Sequence, residues 1–248
     1  MGRVFLLAFV VFFCAATTAG ARTADPAGRR TIVLGHSVDG RVITAVEIGD
    51  FDSPLRTLVV GCIHGNEPAG IAIAQWLTRM APPSELDLWI VSDLNPDGVA
   101  ANTRQNAHHV DLNRNFPFRW RPLSGYFYSG PRALSEPESR IAYRLISRVR
   151  PQVAVWFHQH LDVVDESGGS LAVERRFAAL VGLPLARLTR EPGSAIGWEN
   201  HVIPSGTAFA VELPAGALKR AAVDRFAHAI VAVSKGVAGR SVEPRPAT

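Results

Sequence analysis

The sequence predicts an α/β fold in which one sheet is layered between helices. Two kinds of segment predict it: five short apolar runs rich in β-branched residues, and four segments whose apolar residues recur at helical spacing. Their alternation along the chain is the third observation, because helices that alternate with buried strands pack as layers on a common sheet. At 248 residues, 47% of them hydrophobic, the chain is long enough for one sizeable core and one domain.

Residues 1–21 place Arg3 before an apolar run, 4–13, followed by small residues ending in Ala19, Gly20 and Ala21. This reads as a signal peptide with its cleavage site. A membrane anchor is the alternative, but the run is well short of the roughly 20 apolar residues a spanning helix needs. Cys14 follows Val11, Phe12 and Phe13, a poor context for lipid attachment, so no lipid anchor is expected. The expected organisation is a signal segment (1–21), a flexible segment (22–30), a single catalytic domain (31–240) and a flexible tail (241–248). The mature chain is expected to be secreted, periplasmic or wall-associated, without stable membrane insertion. It retains only Cys62, so no intrachain disulfide can form. Cys62 reads as a small buried residue rather than a nucleophile.

In chain order, strands are expected at 42–48 and 57–63, then a helix at 68–80 with Pro68 suited to its first turn. A strand follows at 87–94, a helix at 135–150, a strand at 152–157, a helix at 170–181, a strand at 207–213 and a helix at 215–237. Residues 95–130 are rich in Asn, Arg, Pro and Gly and hold no sustained period, which marks a long loop of the kind that carries function or is disordered. The formal charge is +4, from 26 Lys+Arg and 22 Asp+Glu, and the arginines are scattered singly. Without a basic cluster interleaved with aromatics, no nucleic-acid partner is expected.

Chemistry concentrates at strand ends. In GCIHGNEP (61–68), His64 and Glu67 lie three residues apart at the exit of an apolar strand, a spacing that lets an imidazole and a carboxylate reach one Zn²⁺. The alternative is an ordinary strand-to-helix turn in which Asn66 or Glu67 serves the helix N-terminus. A catalytic zinc needs a third protein ligand, and WFHQH (156–160) offers His158 and His160. Both point to one face if the strand continues. His158, directly after the apolar run, is the expected ligand and His160 the expected neighbour that supports a ligand or faces substrate, the reverse assignment being the alternative.

Glu212 lies near the end of the apolar run AFAVEL, where a carboxylate beside the metal can take a proton from water and hand it to a leaving amine. Its alternative is a structural pairing with an arginine. In the long loop, Arg104 and Arg114 offer guanidinium forks that can clamp a substrate carboxylate or stabilise an oxyanion, unless these charges only solvate the loop. Asp111 suits the second ring N–H of a metal-bound histidine.

With these residues in order, the chain resembles the funnel-shaped zinc carboxypeptidases. HGNEP, NPDG (95–98), DLNRNFP (111–117), SEPE (135–138), the strand ending at His158 and the strand carrying Glu212 follow that family's order over about residues 55 to 235. The resemblance implies one zinc ion on His64, Glu67 and His158, and Glu212 as general base. It also implies that Arg104 polarises the scissile carbonyl, that Asn113 and Arg114 grip a terminal carboxylate, and that Asp111 stands behind the first histidine. The implied fold is a mixed, largely parallel central sheet sandwiched between helices, with the site at the carboxyl ends of its central strands.

One feature departs from the family: no tyrosine lies between His158 and Glu212 where a substrate-capping one is usual, the three tyrosines being Tyr126, Tyr128 and Tyr143. The compact size, the TRQN turn (103–106) and this omission look more like the bacterial murein peptide amidases, which cleave the γ-D-glutamyl–diaminopimelate bond. A murein peptide is therefore the expected substrate, with His160, Trp198 or His201 in the tyrosine's place. The rival expectations are a conventional carboxypeptidase on L-peptides, an N-acyl amino acid deacylase, and a wall-peptide binding module without catalysis.

Overall fold

In the computed structural model, residues 23–25 and 28–237 are described; the expected signal segment and C-terminal tail lie outside them. The strands are β1 (Thr23–Asp25), β2 (Arg29–His36), β3 (Val42–Gly49), β4 (Arg56–Val60), β5 (Asp87–Val91), β6 (Val153–Gln159), β7 (Val163–Asp165), β8 (Leu185–Ala186) and β9 (Thr207–Leu213). Among the described residues they form one nine-stranded sheet in the order β1-β2-β3-β5-β4-β6-β9-β7-β8. The helices are α1 (Ala69–Leu77), α2 (Pro96–Ala101), α3 (Pro137–Val149), α4 (Leu171–Val181), α5 (Ala195–Val202) and α6 (Arg220–Val237).

The fold is the expected mixed α/β arrangement. The central run β5-β4-β6-β9 is parallel, and antiparallel ladders join it to β3 on one side and β7 on the other. Strand alternation splits the core in two. Val59, Val155, Phe157, Phe209 and Val211 face α1, α4 and α6 on one side of the sheet. Leu58, Val60, Ala154, Trp156, Ala208 and Ala210 face α3 and α5 on the other.

The apolar runs located the buried strands to within a few residues, and the structure adds what had no period. Residues 22–30, expected to be flexible, contribute β1 and the start of β2. Arg30 pairs directly across the ladder with Glu47 and donates two hydrogen bonds to its buried carboxylate, one of them 2.6 Å. This cross-strand charge pair contributes to the pairing of β2 with β3. β7 and β8 are too short to show a period, and the 95–130 loop contains α2 and two short 3-10 turns, Leu112–Arg114 and Gly125–Phe127.

Chain order fixes where the site lies. From β4 the chain passes through α1 to β5 on one side of it, and then returns through α3 to β6 on the other. A crevice opens beyond the carboxyl ends of strands at such a reversal.

Candidate active site

β4 stops at Val60, and the turn that follows delivers His64 and Glu67 to this crevice. Glu67 N donates to His64 O at 2.9 Å, which folds the two side chains onto one side. Gly65 is required there: a Cβ on it would stand 1.9 Å from Gly98 C and 2.2 Å from Val99 N. HGNEP and NPDG thus meet backbone to backbone. The Asn95 side chain joins them further, donating to Ile63 O (3.1 Å) and accepting from Gly98 N (3.0 Å).

His158 comes from the end of β6. Its Nδ1 lies 3.0 Å from Glu67 Oε2 and 3.1 Å from His64 Nδ1, while His64 Nδ1 lies 2.9 Å from the same Glu67 oxygen. All three residues are buried. The second ring nitrogen of His64 faces Asp111 Oδ1 at 3.1 Å, which places its proton on Nε2 and leaves the Nδ1 lone pair aimed at the centre. Burial alone would push the Glu67 carboxyl up, yet the adjoining His158 and His64 imidazoles hold it well below the usual carboxylate range. Asp111 is likewise depressed against its burial, by His64 and Arg104.

Three lone-pair atoms from two imidazoles and a carboxylate converge here, the donor set of catalytic zinc sites. Their separations approach the roughly 3.3 Å edge of a tetrahedron with zinc bonds of about 2.0–2.1 Å. The residues present therefore fit a zinc ion, and the site can hold one.

Glu212 pairs with His158 in the β6–β9 register, so both side chains rise from the same face. Glu212 Oε2 is buried without a hydrogen-bond partner among the described residues, and burial raises the carboxyl's pKa against the pull of His158. Arg104 donates through Nε to Asp111 (2.8 Å) and through Nη1 to Glu67 Oε1 (3.1 Å). Asn113 accepts from Ala195 N (2.9 Å), and Arg114, whose Nη1 donates to Asn113 O (2.8 Å), lies 3.7 Å from Glu191. The SEPE segment anchors this loop from behind: Glu136 and Glu138 both accept from Asn106 Nδ2, at 2.8 and 3.0 Å.

These groups line a cavity of about 1220 Å³. That exceeds the usual 300–1,000 Å³ of a pocket for one drug-sized ligand and leaves room for a peptide. His64, Glu67, Arg104, Asn113, Arg114, His158, His160, His201 and Glu212 all reach it. Asp111 stays buried behind the first histidine. His160 stands outside the triad because β6 ends at Gln159, so its side chain is exposed on the cavity wall. His201 stacks on Phe118 with ring centroids 4.2 Å apart.

Trp198 corrects the sequence expectation. It is 4% exposed, packs against Phe116 and Tyr143 in the core, and does not line the cavity. On an eight-residue helix its ring follows the buried face while His201 takes the open one.

Sequence reasoning passed over several lining residues. Tyr126 stands at the cavity wall with the Arg104 guanidinium 5.4 Å from its ring centre. Asp165 and Arg190 form a 2.8 Å ion pair there. Gln159 N donates to Glu67 Oε2 (3.3 Å), and its side-chain oxygen accepts from Ala69 N at the start of α1 (2.9 Å). The WFHQH pattern contained Gln159; nothing in a single sequence marked the others.

A family model described as zinc carboxypeptidase matches residues 16–164. Murein peptide amidase A of Escherichia coli strain K12 is 31% identical over 179 residues, covering 64% of this chain and 74% of that protein. Among solved structures, carboxypeptidase A from Helicoverpa armigera superposes with a TM-score of 0.73 at 18% identity, covering 86% of this chain and 69% of that one. The murein-tripeptide amidase of Escherichia coli O157 does so with a TM-score of 0.66 at 24% identity, covering 89% and 95%. At these identities the two structures establish a shared fold.

Proposed function

The chain belongs to the zinc carboxypeptidase family of hydrolases, and from that premise we propose that it is an exported peptidase that cleaves the γ-D-glutamyl–diaminopimelate amide of murein peptides. The observation that carries this reading is the convergence of His64, Glu67 and His158 beside the Glu212 carboxylate, whose Oε2 has no hydrogen-bond partner among the described residues, in a cavity also lined by Arg104, Asn113 and Arg114. The substrate is carried over from the relatives, which are named for murein peptides. Export is inferred from the signal-like residues 1–21; among the described residues no helix is long and apolar enough to cross a membrane.

In the proposed reaction, His64, Glu67 and His158 hold the zinc, and Asp111 keeps the His64 proton on Nε2. A zinc ion bound there would supply Lewis acidity to an amide carbonyl and to water. Glu212 Oε2 accepts a proton from the water that attacks the carbonyl carbon. When the C–N bond breaks, the same carboxyl returns that proton to the leaving nitrogen. Arg104, held in place by Asp111 and Glu67, turns its remaining N–H groups to the oxyanion. Asn113 and Arg114 grip the free carboxylate of the leaving residue. A non-catalytic binding module has no use for the Glu212 carboxyl in this position.

The deciding experiment is hydrolysis of a murein tripeptide ending in diaminopimelate and of an L-peptide with a free C-terminus, each with and without chelator. Cleavage of the tripeptide alone, abolished by chelator and restored by zinc, is the expected result. Cleavage of the L-peptide instead would make the protein a conventional carboxypeptidase. Inactivity on both with zinc bound would favour a deacylase or a binding module.

A further inference from the structure

We propose that Arg190, anchored by Asp165, forms a second anion subsite in this cavity and selects leaving residues whose side chain ends in a carboxylate. The inference rests on the reading that Asn113 and Arg114 hold the leaving residue's own carboxylate.

Position comes first. The segment that carries Arg190 packs against the Asn113 turn: Phe116 N donates to Gly193 O (2.9 Å) and Ala195 N to Asn113 Oδ1 (2.9 Å). Glu191, the next residue, lies 3.7 Å from Arg114. Arg190 therefore shares a wall with the groups assigned to the leaving residue.

The guanidinium is also held ready. Arg190 Nη1 donates to Asp165 Oδ2 at 2.8 Å, and Asp165 is itself buried, accepting from Leu188 N (2.8 Å) and Ser167 Oγ (2.6 Å). Ser167 Oγ in turn accepts from Ala210 N (3.0 Å) on β9, two residues before Glu212. The arginine is thus tied through two side chains, Asp165 and Ser167, to the strand that carries the proposed base. Such fixation removes most of the ordering cost of binding.

Donors remain for a ligand. A guanidinium has five N–H groups, and Arg190 makes no other hydrogen bond to a described residue. Its side chain is 35% exposed and lines the cavity, a fork suited to bidentate capture of a carboxylate. Glu191 adds a carboxylate on the same wall, so a side chain ending in both an ammonium and a carboxylate, as diaminopimelate does, meets complementary charges.

A purely structural ion pair would affect stability and leave selectivity alone. The test is calorimetric binding of 2-aminopimelate and norleucine, which differ in the side-chain carboxylate, to the zinc-loaded wild type and to Arg190→Gln and Arg190→Lys. Wild type is expected to prefer 2-aminopimelate by about 10- to 100-fold. Arg190→Gln should abolish that preference without weakening norleucine binding or lowering Tm, and Arg190→Lys should keep part of it. Equal affinities in wild type, or a preference that survives Arg190→Gln, would overturn the proposal. Hydrolysis of the two γ-D-glutamyl amides is measured in parallel. An intact binding preference with neither amide cleaved would remove the hydrolytic reading and leave the subsite standing.

Discussion

His158 and Glu212 are direct partners in the parallel β6–β9 ladder. Neighbouring strands lie about 4.8 Å apart, and directly paired residues project to the same face. The sheet itself therefore sets the distance between a metal-facing imidazole and the proposed base, and no flexible loop intervenes.

Because Glu212 contributes no atom to the His64–Glu67–His158 convergence, its chemistry can be removed without the metal. Glu212→Gln is expected to bind zinc as wild type does while kcat falls by about 10²- to 10⁴-fold. Metal content and single-turnover hydrolysis measure the two separately. Activity near wild type in a zinc-loaded Glu212→Gln protein would rule out the base assignment.

The two histidines of WFHQH should separate cleanly. His158→Ala is expected to lose zinc on dialysis, since it removes one of three ligating atoms, whereas His160→Ala should retain it. Elemental analysis of the dialysed variants decides between them. Loss of metal from the His160 variant alone would exchange their roles.

Gly65 packs so closely on the backbone of Gly98 and Val99 that a methyl group has no room there. Gly65→Ala is expected to destabilise the protein by about 1–3 kcal/mol or more and to weaken zinc binding as the His64 turn shifts. Thermal unfolding and chelator competition test both parts. An unchanged Tm would mean that the two turns can separate freely.

Glu199 gives a pH signature remote from the metal. Its Oε2 accepts from Trp156 Nε1 at 2.9 Å, its Oε1 has no partner among the described residues, and burial pushes its pKa from 4.5 up to about 8. Between these values the unfolded chain has lost a proton that the folded chain keeps. Raising the pH through this window therefore costs stability, at about 1.4 kcal/mol per pH unit, and the loss is complete above the folded pKa. Asp87 and Glu174, each raised by burial to about 7, add a trend of the same sign. Glu199→Gln should flatten the fall in Tm between pH 5 and 8 relative to wild type. Parallel Tm curves for the two proteins would show that Glu199 ionises normally in the fold.

Local patterning determined the sheet's buried strands and most of the larger helices. A run such as 207–213 is β-branched, apolar and bounded by turn residues, and it forms β9 with those bounds. Residues close in sequence, such as His64 and Glu67, announce their shared ligand geometry because three intervening peptides already confine them. Short β7 and β8, the α2 turn and the α5 helix could not be read in this way. Their backbones are held by contacts with distant segments rather than by their own periodicity.

Tertiary structure alone decided the rest. β6 ends at Gln159, which sends His158 and His160 to different surroundings although alternation would have aligned them. Trp198 was expected at the substrate and lies in the core, because its helix turns that face toward Phe116 and Tyr143. Tyr126 and the Asp165–Arg190 pair reach the cavity from segments far apart in the chain. A single sequence records which side chains are present and their local period, whereas a cavity wall is set by long-range packing.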